Sequence, residues 1–181
     1  MIPKKIFLTT GHGTHRHRLQ SFELALRDAE VAPCNLVNVS SIVPPHCKQI
    51  NKKEGISLIN PGEITYCVLS KIHTKKPKKI GASVGLAIPE LSNEYGYIAE
   101  YQNEEMAKTQ LKKTVEDLAI LMLATTKGMT DKKNGQQVPL SDKDIIDQFQ
   151  DKMKTKSIAD TVNHSDPELW STVVALAVFI E

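Results

Sequence analysis

Two adjacent serines stand between a predicted strand and a pair of prolines. Residues 35–39 alternate as a strand, Ser40 and Ser41 follow, and Pro44 comes three residues after Ser41. Because proline fixes φ and lacks a backbone N–H, the chain is restricted here and can hold a hydroxyl close to the preceding carbonyl. From residue types alone, two turn serines that hydrogen-bond to nearby backbone are the better explanation.

Glu23 is a candidate for binding a positively charged ligand. It lies four residues after Leu19 and three before Leu26, so it projects beside the apolar stripe of a predicted helix. A carboxylate that becomes buried needs a cation or several hydrogen-bond donors. The alternative is that Glu23 reaches past the stripe into solvent.

Glu100 is a candidate general acid. Strand parity predicts that its side chain shares a face with Ile98 rather than with Tyr97 and Tyr101. A carboxyl group on a face shared with an apolar residue would have a raised pKa and could donate a proton. The alternative is an ordinary glutamate on the outer surface.

A further feature is a histidine-rich segment. His12, His15 and His17 fall within six residues, which suggests metal binding. Their spacing matches no standard zinc pattern, however, and residues 11–17 contain no cysteine or carboxylate. We therefore expect a flexible loop here and no metal site.

The elements that must position these residues follow from the apolar periodicity. Strands are predicted at residues 5–10, 35–39, 64–72, 79–88, 95–101, 158–162 and 172–180, and helices at 19–29 and 104–125. Gly11 and Gly13 are expected to end the first strand. Runs of strands without regular βαβ alternation indicate an α+β fold with helices packed on antiparallel sheet.

Two connections have specific predictions. The strands at 64–72 and 79–88 flank a lysine-rich turn, which predicts a hairpin. Residues 129–154 are polar and are predicted as a loop or short helix, with Gly128 ending the helix before them and a turn at Asn134-Gly135.

The composition predicts one soluble domain. The chain has 181 residues, 40% of them hydrophobic, and a formal net charge of +2. Its lysines cluster only around Pro77, where a solvated loop is expected, so a nucleic-acid partner is not favoured. Three cysteines without C-x-x-C spacing, no leader-like start and no long apolar window lead us to expect a cytoplasmic protein without membrane contact.

The most specific motif spans the two serines. The segment NLVNVSSIVPP at 35–45 resembles the self-cleavage segment of the pyruvoyl-dependent arginine decarboxylases, particularly the short archaeal type. The segment LQSFELAL at 19–26 is similar to the helix that lines the family's substrate pocket. GASVGLAIP at 81–89 and GYIAEY at 96–101 follow in the family's order. The resemblance covers residues 5–128 and the final strands.

This resemblance implies an enzyme that cleaves itself. Ser41 would attack the carbonyl of Ser40, divide the single domain into chains 1–40 and 41–181, and become an N-terminal pyruvoyl group. That covalent group would be the cofactor, with neither a metal nor PLP, and would take up electrons as CO2 leaves arginine and agmatine forms. Asn35 would assist cleavage by polarising the attacked carbonyl or holding the oxyanion.

The resemblance also implies a substrate pocket between protomers of a trimer. Glu23 would meet the substrate guanidinium with two hydrogen bonds, and Leu26 would pack against the substrate's methylenes. Glu100 would return a proton to the former α-carbon. The family fold is a four-layer αββα sandwich of antiparallel sheets flanked by helices.

The sequence departs from the family pattern in places, and other functions remain open. Glu23 stands where the family usually has Asp, and the histidine-rich segment and residues 129–154 are not family features. One alternative is a pyruvoyl decarboxylase for another basic amino acid. A second is a non-processing homologue that binds a metabolite or a partner protein, and a third is a histidine-rich metal-binding protein.

Overall fold

Two sheets lie face to face and helices cover both outer faces, which makes a four-layer αββα sandwich. This computed structural model describes residues 2–90, 93–126, 130–133, 136–139 and 141–181. The predicted α+β class with mainly antiparallel sheets is confirmed.

The strands divide between the two sheets in a mixed chain order. In spatial order the first sheet contains β2 (Asn35–Asn38), β5 (Ile64–Thr74), β11 (Trp170–Ile180), β1 (Lys5–His15) and β4 (Lys48–Gln49). The second contains β10 (Met153–His164), β6 (Lys78–Pro89), β7 (Gly96–Glu104) and β3 (Ile42–Val43). A separate ribbon is formed by β8 (Thr130–Lys133) and β9 (Gln136–Pro139).

The helices form the outer layers. The first sheet is covered by α1 (Arg18–Asp28) and α2 (Lys52–Ile56), and the second by α3 (Lys108–Thr125) and α4 (Asp142–Phe149). A 3-10 turn at Gln150–Lys152 connects α4 to β10. The apolar side chains therefore form three layers, one between the sheets and one under each pair of helices.

Strand β11 contributes to two of these layers at once. Val173 and Ala175 face the second sheet, whereas Val174 and Leu176 pack in the layer that contains α1. Successive side chains of a strand point to opposite faces, so a strand covered on both faces has no polar alternation. This explains why the end of the sequence is a continuous apolar run.

The glycines of β1 do not end that strand, contrary to the prediction. A Cβ on Gly11 would lie 2.3 Å from the carbonyl oxygen of Ala25. A Cβ on Gly13 would lie 2.5 Å from the carbonyl oxygen of Ser21. Glycine is needed at both positions because α1 packs directly on β1, and the strand continues to His15.

The flexible loop expected for the histidine-rich segment is also wrong. His12 and His15 lie in β1, where they pair with Val173 and Trp170 of β11. His17 is the residue that precedes the first turn of α1. The three histidines thus lie within β1 or directly before α1.

The predicted hairpin between β5 and β6 is wrong, although both strands exist. The two strands belong to different sheets, with β5 beside β2 and β11, and β6 beside β7 and β10. Ser70 of β5 donates a hydrogen bond across the sandwich to the carbonyl oxygen of Tyr101 in β7 (3.0 Å). Each strand buries one face against the opposite sheet. The local sequence pattern does not predict which sheet a strand joins.

Two smaller differences from the predictions lie between residues 104 and 154. The predicted helix at 104–125 begins at Lys108, because Glu104 ends β7 and Glu105 has a positive φ of 64°. Within 129–154 the predicted short helix is present as α4, but the ribbon of β8 and β9 was not expected. Gly128 and the Asn134-Gly135 turn lie outside the described residues.

Within the described part of the chain, none of the helices is long and apolar enough to cross a membrane.

Candidate active site at the crossing between the sheets

Ser40 and Ser41 lie where the chain passes from one sheet to the other. Before them, β2 pairs in parallel with β5 of the first sheet. After them, β3 pairs antiparallel with β7 of the second sheet. Three residues, 39–41, therefore span the sandwich at its edge.

Main-chain hydrogen bonds hold this crossing from both sides. The Val39 N–H donates to the carbonyl oxygen of Cys67 in β5 (2.9 Å), and the Ile98 N–H of β7 donates to the carbonyl oxygen of Ser41 (2.7 Å). The Ile42 N–H donates to the carbonyl oxygen of Ser40 (3.1 Å). The Ser40 carbonyl, directly before Ser41 in the chain, is thus already polarised by a backbone N–H. This arrangement favours nucleophilic attack on its carbon.

A cavity of about 370 Å³ opens beside this peptide bond. Its lining consists of Pro3, Val39, Ser40, Ile42, Pro44, Tyr66 and Phe179. The volume falls within the range of small-molecule sites, roughly 300–1,000 Å³. The lining residues are mainly apolar, and Ser40 and Tyr66 are the ones whose side chains carry a hydroxyl.

Sequence reasoning did not identify Tyr66 or Phe179 as site residues. Tyr66 enters the site because β2 pairs in parallel with β5, which sets Val37 opposite Tyr66. Phe179 enters because β11 is a central strand of the same sheet. The only local signal was the parity of each strand, which does not reveal the neighbouring strand.

Glu100 lies on the face of β7 that is turned toward the first sheet. It shares this face with the buried Ile98, as predicted, and pairs in register with the buried Val84 of β6. Partial burial raises the pKa of the Glu100 carboxyl above its ordinary value, although the side chain is exposed in the single chain. Burial, and then the charge of Glu100, raises the pKa of Cys67 to about 11. Glu100 therefore lies near the strand that anchors Val39.

Asn35 stands at the start of β2, upstream of the crossing. Its side-chain amide donates to the carbonyl oxygen of Gly62 (2.8 Å). A second asparagine, Asn38, accepts a hydrogen bond from the Leu69 N–H (3.1 Å) and secures β2 to β5. The contact of Asn35 neither requires nor excludes a part in cleavage, and that role stays a prediction.

Glu23 and Leu26 lie elsewhere, on α1. Glu23 forms an ion pair with Arg27 one turn later (2.5 Å) and accepts a hydrogen bond from Gln20 (3.2 Å). Leu26 is partly buried in the layer between α1 and the first sheet, whereas Leu19 on the same helix is 78% exposed.

The two candidate regions do not meet within one chain. A second cavity, of about 470 Å³, is lined by Glu23, Arg27, Glu30, Ala32 and Pro33. It has no lining residue in common with the cavity beside Ser40. The structure therefore brings Ser41 close to β7, the strand of Glu100, but leaves Glu23 in a separate opening of the same molecule.

Comparison with known proteins gives a consistent result. The model of the pyruvoyl-dependent arginine decarboxylase family matches residues 5–181. A Methanosarcina acetivorans protein named pyruvoyl-dependent arginine decarboxylase 2 is 41% identical over 186 aligned residues, which cover 99% of this chain and 98% of that protein. A Chloroherpeton thalassium protein named probable pyruvoyl-dependent arginine decarboxylase is 38% identical over 181 residues, with the same two coverages.

Proposed function

Because the chain belongs to the pyruvoyl-dependent arginine decarboxylase family, a family of lyases with a covalently bound pyruvoyl cofactor, we propose that it converts L-arginine to agmatine and CO2. The observation that carries this proposal is the Ser40–Ser41 bond at the crossing between the sheets, with both carbonyls accepting backbone hydrogen bonds. The arginine specificity rests on the names of the relatives.

Formation of the cofactor begins at that bond. The Ser41 hydroxyl attacks the Ser40 carbonyl carbon, the C–N bond breaks, and the hydroxyl proton passes to the released amine of residue 41. Loss of the Cα proton and cleavage of the Cβ–Oγ bond then free Ser40 as a carboxylate. Water replaces the amine, which leaves as ammonia, and residue 41 becomes the pyruvoyl group. The Ile42 N–H is placed to stabilise the developing oxyanion, and Asn35 is proposed to assist.

The residues around Ser41 fit such a group. Its amide carbonyl would be the Ser41 carbonyl, which the Ile98 N–H holds, and the cavity beside it is lined by both neighbours of Ser41, Ser40 and Ile42. The bound group supplies an electron sink for the carbanion that forms as CO2 departs. In this proposal Glu100 donates the proton that the former α-carbon requires, a role that its raised pKa supports.

The two cleavage products, residues 1–40 and 41–181, are proposed to stay together as one domain. The smaller would contain β1, which pairs with β11 from Lys5 to His15 and lies between β11 and the short strand β4. Buried strand pairing of this length needs no covalent connection to persist.

We propose that a second protomer completes the substrate pocket. Within one chain Glu23 and Ser41 lie in separate openings, and the exposed Leu19 on the Glu23 helix is the type of side chain that an interface buries. A trimer would set Glu23 and Leu26 of one protomer against Ser41 of the next. The substrate guanidinium would then take the place of Arg27 at Glu23, and its planar fork favours arginine over lysine.

We also propose that the enzyme acts in the cytoplasm. Cys34, Cys47 and Cys67 are all free, which is typical of a reducing compartment.

The first experiment is the intact mass of the denatured protein together with an amino-acid panel. Two chains that correspond to 1–40 and 41–181, the larger lacking the amine of residue 41, are expected. Arginine should give agmatine and CO2, with lysine and ornithine at least about tenfold lower in kcat/KM. A single uncut chain without activity would support a non-processing homologue, and equal turnover of ornithine would support another basic substrate.

A matched pair of variants tests the pocket. Glu23→Gln should raise KM for arginine about 10- to 100-fold, because a charge-assisted hydrogen bond is lost, while self-cleavage is unchanged. Glu30→Gln is the control, since Glu30 lines the same opening but forms an ion pair with Lys52. Equal effects of the two substitutions would contradict the role of Glu23.

A further inference from the structure

We propose that His12, Asp28 and Asp160 form a binding site for a divalent first-row transition-metal ion, separate from the candidate active site. One ligand atom from each side chain lies within 4.8 Å of the other two. The three residues come from β1, the last turn of α1 and β10, so the fold and not the local sequence brings them together.

The distances among the ligand atoms suit a metal ion. His12 Nδ1 lies 2.8 Å from Asp160 Oδ2 and 3.6 Å from Asp28 Oδ2. With metal–ligand bonds of about 2.0–2.2 Å, adjacent ligand atoms are about 2.8–3.6 Å apart in octahedral or tetrahedral coordination. Both distances from His12 Nδ1 fall within this range, and the ligand oxygens of the two carboxylates lie within 4.8 Å of each other.

The donor set defines the class of ion. One imidazole nitrogen and two carboxylate oxygens bring two negative charges and suit zinc, manganese or iron better than calcium. Without a metal, Asp28 Oδ2 and Asp160 Oδ2 both lie near His12 Nδ1. The Lys108 ammonium lies 3.3 Å from the other carboxylate oxygen of Asp160. Lys108 is half exposed, so it can stay on that oxygen or move into solvent when a metal binds.

The site is partly preorganised. The backbone N–H of His12 donates to Asp28 Oδ2 (2.9 Å), which fixes this carboxylate beside the imidazole. The Asp160 side chain is only 17% exposed.

The position indicates a structural role for the ion. Strand β4 pairs with β1 only at Lys5 and Ile6, so among the described residues the rest of β1 has no strand on that side. Strand β10 is the edge of the second sheet. A metal held by His12, Asp28 and Asp160 would cross-link both sheets and α1 along this edge.

Zinc binding by the untagged, processed protein tests the proposal. After treatment with a chelator and dialysis, equilibrium dialysis against Zn²⁺ should give one ion per chain, and saturation should raise Tm. His12→Ala and Asp160→Asn should each weaken binding at least about tenfold, since even changes around a metal ligand cost about that much. Asp28→Asn, at a half-exposed position, is a further ligand variant that the fold should tolerate.

His17→Ala is the matched control, because His17 is an exposed histidine of the same segment without a carboxylate partner among the described residues. It should bind Zn²⁺ as the unaltered protein does. Absence of saturable binding would overturn the proposal. So would ligand variants that bind Zn²⁺ with the affinity of the unaltered protein. Loss of binding in His17→Ala would assign zinc to the surface histidines and overturn it as well. Comparison of metal-free Tm values separates lost binding from lost folding, and none of these readouts depends on decarboxylase activity.

Discussion

The two long edges of the sandwich join the sheets in different ways. At one edge the chain itself crosses, and two backbone hydrogen bonds fix it, one from the Val39 N–H to the Cys67 carbonyl oxygen and one from the Ile98 N–H to the Ser41 carbonyl oxygen. At the other edge none of the described segments crosses beside His12, and side chains from β1 and β10 make the connection. Backbone contacts position a reactive bond whatever the neighbouring side chains are, whereas side-chain contacts respond to protons and ions. The first edge is suited to chemistry and the second to stability.

The largest effect is expected at the crossing. Ser41→Ala removes the attacking hydroxyl but none of the backbone hydrogen bonds, so the chain should stay uncut and decarboxylation should fall to background. Tm should change little. Intact mass, agmatine formation and thermal unfolding measure the three quantities.

Ser40→Ala is the matched control, because it keeps both the attacked carbonyl and the hydroxyl of residue 41. Cleavage should still occur. If Ser41→Ala were cut and active, the crossing would have no special chemistry and the contrast between the edges would be lost.

The next effect is expected at Glu100. Glu100→Gln should lower kcat by about 10²- to 10⁴-fold while self-cleavage continues, since a positioned general acid contributes about that much. The pKa of Glu100 is raised by burial, and the acid must be protonated to act. In the unaltered enzyme kcat should therefore fall as pH rises through that raised pKa, and this limb of the pH profile should disappear in the variant.

Glu104→Gln, on the same strand, is the control. Glu104 is exposed and pairs with Lys78, so its replacement should leave kcat and the pH profile unchanged. A similar pH profile in Glu100→Gln would assign the proton to another group.

A smaller effect is expected where α1 packs on β1, beside the second edge. Gly13→Ala would place a methyl group against the backbone of α1, which should destabilise the protein by about 1–3 kcal/mol, the usual cost of overpacking. Denaturant unfolding measures this loss. An unchanged denaturant midpoint would mean that α1 can shift to make room for the methyl group. The positions of Asp28 and His12 would then not be fixed by packing.

The smallest effect is expected for Asp160→Asn in metal-free protein. The folded-state pKa of Asp160 lies below its ordinary value, so its contribution to stability is present above the unfolded pKa and is lost as pH falls through the folded pKa. Asp160→Asn should cost about 1 kcal/mol or less near neutral pH. The difference in unfolding free energy between the two proteins should shrink in acid, and a difference independent of pH would contradict this account.

Local sequence patterns were sufficient for part of the fold and of the candidate site. Helix α1 and the main strands were predicted from apolar spacing, because one face of each is buried. Ser41 and Glu100 were identified from a motif and from parity, both of which are local properties. The motif also placed Ser41 at a strand end, which is where β2 stops.

The remaining features depend on contacts between distant segments. No local signal assigns β5 and β6 to different sheets, because either pairing buries their apolar faces. Tyr66 joins the site through a parallel pairing with β2, and Asp160 meets His12 across 148 residues of chain. Gly11 and Gly13 were misinterpreted because glycine permits close helix packing as well as a turn.

The full-length pairing of β1 with β11 would have a consequence for the life of an enzyme that is cut after Ser40. A cut after Ser40 would turn one chain into a complex of two peptides, of which the shorter supplies the strand between β11 and β4 in the first sheet. Refolding would then be a bimolecular event that depends on protein concentration, whereas the uncut precursor would recover at any dilution. The active enzyme would thus be assembled once, from a precursor, and would last as long as it avoids unfolding.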